Sequence, residues 1–213
     1  MGFYLFIQRI QGVFCCISLL ICIGCSSVKT APMTGFLTQY NVLTKDERYK
    51  DLYVYKKPGF DSNSYSNFVI DPVVVFFHPE ARGSAINPER LKELTDFFQG
   101  EIIEQFEIGF KKSDGPQAKT FRIKVAVTDI IPNKPYLNLH WSTTLAGFGI
   151  GGAALEAEIV DSQTGERLLA IVDTRKGKRR KYTKGWTKFG HTKDIFTQWA
   201  KLLKDMVDPP ESQ

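Results

Sequence analysis

The chain has 213 residues, of which 43% are hydrophobic and 13% aromatic. That is enough for one domain with a sizeable core, leaves little room for two, and excludes a low-complexity or disordered polymer. The formal charge of +5 is a modest basic bias whose distribution matters more than its sum.

All four cysteines, Cys15, Cys16, Cys22 and Cys25, lie in the first 25 residues. Nothing downstream can join them in a disulfide or a thiolate metal site, so the domain must be held by its core. The same stretch reads as an address. Met1 to Gln11 carries one charge, Arg9, and Val13 to Ile23 is apolar except for Ser18. A basic start, an apolar run of about 7–15 residues and a small residue at its foot is the pattern of a secretory signal peptide. A spanning helix needs about 20 apolar residues, and extending the run back to Gly2 would bury Arg9 and Gln8.

Cys22-Ile23-Gly24-Cys25 resembles a bacterial lipobox, with cysteine at Cys22 where leucine is commoner. The resemblance implies cleavage between Gly24 and Cys25, a thioether-linked diacylglycerol on Cys25, and acylation of its new amino group. Two or three chains hold a protein firmly at a bilayer, whereas one holds marginally. Ser26 and Ser27 stand where lipoproteins kept at the inner membrane tend to carry Asp, which implies the outer membrane with the domain in the periplasm. Cleavage removes Arg9 and every cysteine but Cys25, which suits an oxidising compartment. The expected organisation is a signal peptide over 1–24, a lipidated tether over 25–35, one domain over 36–207 and a tail over 208–213.

Gly35 to Pro58 mixes apolar and charged residues without a clear period and reads as loop. Ser66 to Phe77 is rich in Val, Ile and Phe and reads as a strand, with Pro72 marking an edge or a break. Asn87-Pro88 opens a helix, since Asn is a strong N-cap and Pro fits the first turn. Leu91, Leu94, Phe98, Ile102 and Phe106 give that helix one apolar stripe. Gly100 weakens it and Gly109 ends it.

"TFRIKVAVTDI" alternates as a strand, with Phe121, Ile123, Val125 and Val127 on one face and Arg122, Lys124 and Thr128 on a wet one. Ala153–Asp161 and Glu166–Asp173 are two more strands, joined by a turn in which Gly165 suits a positive φ. In the first of them Leu155, Ala157 and Ile159 alternate with Glu156 and Glu158. A second helix runs from Thr192 to Val207 on a stripe of Ile195, Trp199, Leu202 and Met206, with Asp194 in its first turn. The fold class is therefore α/β of the α+β type. It is a small mixed or antiparallel sheet with two helices packed on one face, in the order β-α-β-β-β-α.

Motifs for chemistry are weak. Gly147 to Gly152, "GFGIGG", looks like a phosphate loop, but a strand rather than a helix follows it. Ser26-x-x-Lys29 fits the pattern of penicillin-binding enzymes but lies in the tether and lacks a Lys-Thr-Gly partner. His78, His140 and His191 have no second ligand at metal spacing. No cofactor and no metal is expected. A hydrolase assembled from scattered residues stays open as an alternative, because triads form in space.

The sharpest surface feature is "TRKGKRRKYTKGWTKFGHTK", Thr174 to Lys193. Arg175, Lys176, Lys178, Arg179, Arg180, Lys181, Lys184, Lys188 and Lys193 are basic and no acid interrupts them, while Tyr182, Trp186 and Phe189 are interleaved. In a cytosolic protein this pattern would point to nucleic acid. For an exported chain no nucleic acid is expected. The anions at hand are lipid headgroups, lipopolysaccharide phosphates or an acidic partner. The bland reading is a solvated loop before the last helix, its aromatics capping the core.

"GFLTQYNVL" after the tether, "YSNFVIDPV", and above all "GGAALEAEIVDSQTGERLLAIVD" (Gly151 to Asp173) resemble a group of proteobacterial lipoproteins known only as domain of unknown function 3313. The likeness runs from Gly35 to Met206. It implies a lipoprotein and offers no catalytic residues. The functional expectation is a lipid-anchored, non-catalytic binding or accessory module of the cell envelope.

Overall fold

The computed structural model describes residues 33–77, 81–132, 151–177 and 188–210. Eight strands build one mixed sheet: β1 (Thr44–Lys45), β2 (Leu52–Lys56), β3 (Asn67–Ile70), β4 (Val74–Val75), β5 (Lys111–Lys112), β6 (Thr120–Ile131), β7 (Gly152–Asp161) and β8 (Arg167–Lys176). Among the described residues two α-helices accompany them, α1 (Pro88–Glu107) and α2 (Gly190–Val207). The sheet order is β1-β2-β8-β7-β6-β3-β5, with β4 also pairing β6. Pairs β1–β2, β2–β8, β8–β7 and β7–β6 are antiparallel, and β3–β6, β4–β6 and β3–β5 are parallel. Mixed sheet, α+β class and helices on one face are as the alternation and stripes predict.

The element order is richer than β-α-β-β-β-α. The segment read as loop, Gly35 to Pro58, contains β1 and β2, and β2 pairs with β8 along its whole length. "LYVYK" is short and its faces, Leu52 and Val54 inward, Tyr53 and Tyr55 outward, are all amphipathic or apolar, so no polar period marked it. The strand expected over Ser66–Phe77 is two strands on the same edge of β6. Asp71-Pro72-Val73 interrupts them, as the missing Pro72 N–H demands. β5, two lysines at the outer edge of β3, carries no apolar signal at all, and exposed charge there discourages edge-to-edge pairing.

Asn87 caps α1, its side-chain oxygen accepting from Glu89 N at 2.9 Å and Arg90 N at 3.2 Å. The stripe Leu94, Phe98, Ile102 and Phe106 is buried. Gly109 ends the helix at φ +117°, a conformation that strains any side chain. α2 begins two residues earlier than expected, at Gly190, so Asp194 lies beyond its first turn and is buried. The two helices meet through a stack of aromatic rings, Phe98 on Phe196 at 4.5 Å with Trp199 at 6.1 Å and 6.0 Å from them. From the sheet, Phe121, Ile123, Val125, Val127, Leu155, Ala157, Ile159, Leu169 and Ile171 face these helices in one core. At its β3 end Phe68, Phe106, Phe110 and Phe121 pack at ring distances of 5.0–6.4 Å. Lys56 joins β2 to the end of α2 by donating to the Met206 carbonyl at 2.9 Å.

The opposite face is where expectation and structure part. Glu156 and Glu158 alternate as solvent-facing residues should, yet Glu156 is fully buried and Glu158 is 13% exposed. A second, smaller core covers this face. Leu37, Ala170 and Val172 are buried there, with Phe36, Tyr40, Leu43, Tyr53 and Tyr55 packed around them.

Gly100 is exposed on α1 and a Cβ there meets nothing within 4 Å. Gly100→Ala should therefore stabilise the fold by about 0.5–1 kcal/mol, read as a higher thermal midpoint.

Candidate functional site

Two acids that the fold takes out of water, Glu156 and Asp173, stand on the long strands β7 and β8. The first is on the outer face of β7. Glu156 Oε1 accepts from Thr34 N at 2.8 Å and Thr34 Oγ1 at 2.9 Å. Its Oε2 accepts from the Tyr40 hydroxyl at 2.6 Å and Leu37 N at 3.3 Å. All four donors are neutral, and among the described residues no cation pairs with this carboxylate. Such an arrangement replaces the water shell of a buried anion with fixed dipoles. Burial raises the Tyr40 hydroxyl above its ordinary pKa, and the bond to Glu156 adds to it.

A second clip lies one step along. Arg167 Nε donates to Glu158 at 3.0 Å, Nη1 to the Gln39 carbonyl at 3.1 Å and Nη2 to Thr38 Oγ1 at 2.9 Å. Lys124 completes it with a 3.1 Å contact to Glu158. A bulge makes this possible. Ile159 opposes Leu169 but Val160 opposes Arg167, leaving Leu168 as the extra residue. Simple alternation would put Arg167 on the helix side with Leu169 and Ile171. The bulge turns it to the outer face, where Glu158 stands.

These contacts unite the segments by which the family is recognised. "GFLTQYNVL" is the strap that Glu156 and Arg167 hold. "YSNFVIDPV" reaches the long hairpin of β7 and β8 through the Tyr65 hydroxyl, which donates to Asp161 Oδ2 at 3.1 Å. Asp161 also accepts from Gln163 N, Thr164 N and Thr164 Oγ1, closing the turn in which Gly165 has φ +72°. Burial alone would raise the Asp161 pKa, but the bonds from Thr164, Gln163 and Tyr65 together lower it. Tyr65 is pushed up to about 12, by burial first and then by Asp161. Thr34 and Gly35, placed in the tether by sequence, are hydrogen-bonded into the domain.

The second place is the far end of β8. Asp173, 2% exposed, faces the helices and accepts from Trp199 Nε1 at 2.7 Å and from Arg175 Nε at 2.6 Å. Arg175 in turn lies over the Tyr49 ring at 5.2 Å. Burial raises the Asp173 pKa, against the pull of Arg175, Trp199 and Thr174 N. Sequence reasoning passed over Asp173 as the last residue of a strand. A lone acid in an inward register position is the signal that could have found it.

The basic segment is only partly described. β8 runs on to Lys176, so Arg175 and Lys176 belong to a strand rather than to a loop. Arg175 is turned inward to Asp173 and is 16% exposed, whereas Lys176 is exposed. Lys188 and Lys193 are exposed, with their ammonium groups 5.5 Å from the Phe189 ring and 4.7 Å from the Phe97 ring. Phe189 is buried in the core, as the bland reading has it. Lys178, Arg179, Arg180, Lys181 and Lys184 lie outside the described residues, as do Tyr182, Trp186, Cys25, His78 and His140.

His191 is buried, and its ring approaches Gly177 so closely that a Cβ there would sit 2.4 Å away. Of "GFGIGG", Gly152 opens β7 directly, and a Cβ on it would meet the Arg175 carbonyl at 2.6 Å. Close strand packing, not a phosphate, requires that glycine. Among the described residues no three His, Cys, Asp or Glu side chains gather as metal ligands. No helix among them is long and apolar enough to cross a membrane.

Glu156→Gln puts an amide NH₂ where donors already point. We expect a loss of about 2–3 kcal/mol, with hydrogen exchange rising first in residues 34–43. Tyr40→Phe should cost about 1.5–3 kcal/mol, the value of a hydrogen bond to a charged group. At Asp173 the folded pKa is above the unfolded 3.8, so the native state holds its proton to higher pH. The stability this group contributes is then greatest near and below pH 3.8 and declines as pH rises toward its folded value. The melting-temperature advantage of wild type over Asp173→Asn should shrink from pH 3.5 to 7, and a growing advantage would contradict it.

Comparison with known proteins adds a family and no activity. No curated protein matches the chain. Among solved structures, the PelC dodecamer from Paraburkholderia phytofirmans is similar at 9% identity and a TM-score of 0.44, over 75% of this chain and 98% of that one. A neuraminyllactose-binding hemagglutinin homolog from Helicobacter pylori is similar at 13% identity and a TM-score of 0.37, over 74% of this chain and 88% of that one. A hypothetical protein from Chlamydia trachomatis, CT253, is similar at 11% identity and 0.39, over 68% and 99%. Likeness this loose carries no functional argument. The family model described as "Protein of unknown function (DUF3313)" matches residues 32–203, which include the strap, the long hairpin, α1 and most of α2, and the chain belongs to that family.

Proposed function

We propose that the protein is a lipid-anchored lipoprotein of the outer membrane whose periplasmic domain is a non-catalytic binding or accessory module of the cell envelope. One observation carries the reading: Cys22-Ile23-Gly24-Cys25 at the foot of an apolar run, followed at once by Ser26-Ser27. It supplies a membrane lipid as the first partner, through acylated Cys25. The use made of buried polar groups supports the second half of the proposal. Glu156, Arg167 and Asp173 are each engaged by their neighbours in holding segments together, with Asp161 doing the same at the turn. Lys176, which is exposed, and the basic run in the sequence from Lys178 to Lys184 are what the chain offers to an anionic envelope component or protein.

The anchor is tested by intact mass and fractionation of the full chain expressed in a Gram-negative host. Wild type should lose residues 1–24, gain the mass of its acyl chains and pellet with membranes. Cys25→Ser should lack the added mass and move to the soluble fraction. A wild-type mass equal to the bare polypeptide would overturn the anchor. In the same cells, Arg179, Arg180 and Lys181 replaced by Glu should reduce crosslinking to envelope components while anchoring is unchanged; equal crosslinking would remove the basic segment from the proposal.

A further inference from the structure

Among the described residues few large apolar side chains are left in water, and three of them are grouped by their place on the outer face. Val74 is 41% exposed, Phe76 44% and Met33 49%. The register explains why they are neighbours. Val74 pairs with Ala126, and Ala126 pairs with Glu156, so the three stand in one row across the sheet on its outer face. Phe76 continues that edge, its N–H bonded to the Val127 carbonyl, and shows on the same face as Val74. The Glu156 carboxylate, at the end of that row, holds Thr34, the chain neighbour of Met33. Phe36, on the next turn of the strap, lies against Phe76 with ring centroids 6.2 Å apart. Met33, Phe36, Val74 and Phe76 thus form one apolar surface. Farther along the same face of β6, Lys124 and Arg122 are already paired with Glu158 and Asp71. A contiguous apolar surface of this kind marks a place where something sits.

Where the tether ends says what. The strap is fastened to the sheet at Thr34, and from the lipid-bearing Cys25 to Met33 the sequence runs nine residues, eight Cα-to-Cα steps. Fully extended, that span reaches at most about 28 Å. Its last residue is itself part of the apolar surface. We propose that Met33, Phe36, Val74 and Phe76 seat on the bilayer into which Cys25 is anchored, as a second, non-covalent membrane contact. This rests on the lipid anchor proposed above. Attachment supplies a high local concentration of membrane, so a surface too small to bind a free bilayer can still seat. The lipid face of the domain is then the strap face of β6 and β4, and the helices point away from the membrane.

The cysteine distribution makes the test clean. In the processed chain Cys25 is the only native cysteine and is blocked, so one introduced cysteine takes one label. The processed lipoprotein is purified in detergent, its acyl mass confirmed, and placed in phosphatidylethanolamine–phosphatidylglycerol vesicles. An environment-sensitive dye is attached at Phe76→Cys, at Val74→Cys, or at Glu104→Cys, an exposed position on α1. Labels at 74 and 76 should shift to the blue and lose at least half their emission to spin-labelled lipids, while the label at 104 does neither. Using two positions keeps the test alive if one variant does not fold. Equal behaviour at 74, 76 and 104 in a chain whose acyl mass is confirmed overturns this inference and leaves the anchor standing. A chain without acyl mass overturns the anchor and this inference with it. A blue shift that grows with protein concentration in detergent assigns the surface to a second copy. One already present in dilute detergent assigns it to the chain's own N-terminal residues. Either result overturns the membrane contact.

Discussion

Glu156 is the constraint around which the outer half of the domain is organised. A carboxylate without access to water is costly unless donors replace the solvent it has lost. The donors come from the strap, at Thr34, Leu37 and Tyr40, and from nowhere else among the described residues. Satisfying the acid and covering the sheet are therefore one event. The strap brings Leu37 onto Ala170 and Val172, and its apolar cover keeps water off the acid. An apolar residue at position 156 would pack, but nothing would fix which residue of the strap lies over it. The buried acid specifies register, as polar core groups can.

The long strand β6 plays a similar part for connectivity. On one side it takes β7 in antiparallel register, and on the other it accepts β3 and then β4 in parallel. Pro72 separates the two short strands, since one residue without an N–H cannot sit in the ladder. The helix between them and β5 is a crossover lying over the face that bears Phe121, Ile123, Val125 and Val127. Antiparallel pairs could have been made by hairpins alone. The parallel pairs require the crossover, and so place α1 beside α2.

Buried charge in this protein holds parts together. Asp173 ties β8 to α2 through Trp199, and Arg175 offsets its charge while lying on Tyr49. Arg167 is brought to Glu158 by a bulge, and Asp161 closes a turn. Glu158, Asp161, Arg167 and Asp173 fall within Gly151 to Asp173, a stretch that marks the family, and their contacts fix strap, hairpin and helix to one another.

The sequence by itself determined whatever depends on near neighbours in the chain. Apolar stripes at helical spacing gave α1 and α2, Asn87 and Gly109 bounded the first, strict alternation gave β6, and Gly165 marked the turn between β7 and β8, because each of these is set by backbone geometry within a few residues. Tertiary structure alone decided the rest. Glu156 looked wet because alternation reports which face a residue is on, not whether another segment, 116 residues away at Tyr40, will lie across that face. β2 was invisible because both its faces are buried or aromatic, and Arg167 changed sides because one extra residue in a ladder reverses every side chain beyond it. Coverage and register are properties of pairs of distant segments, and no local period encodes them.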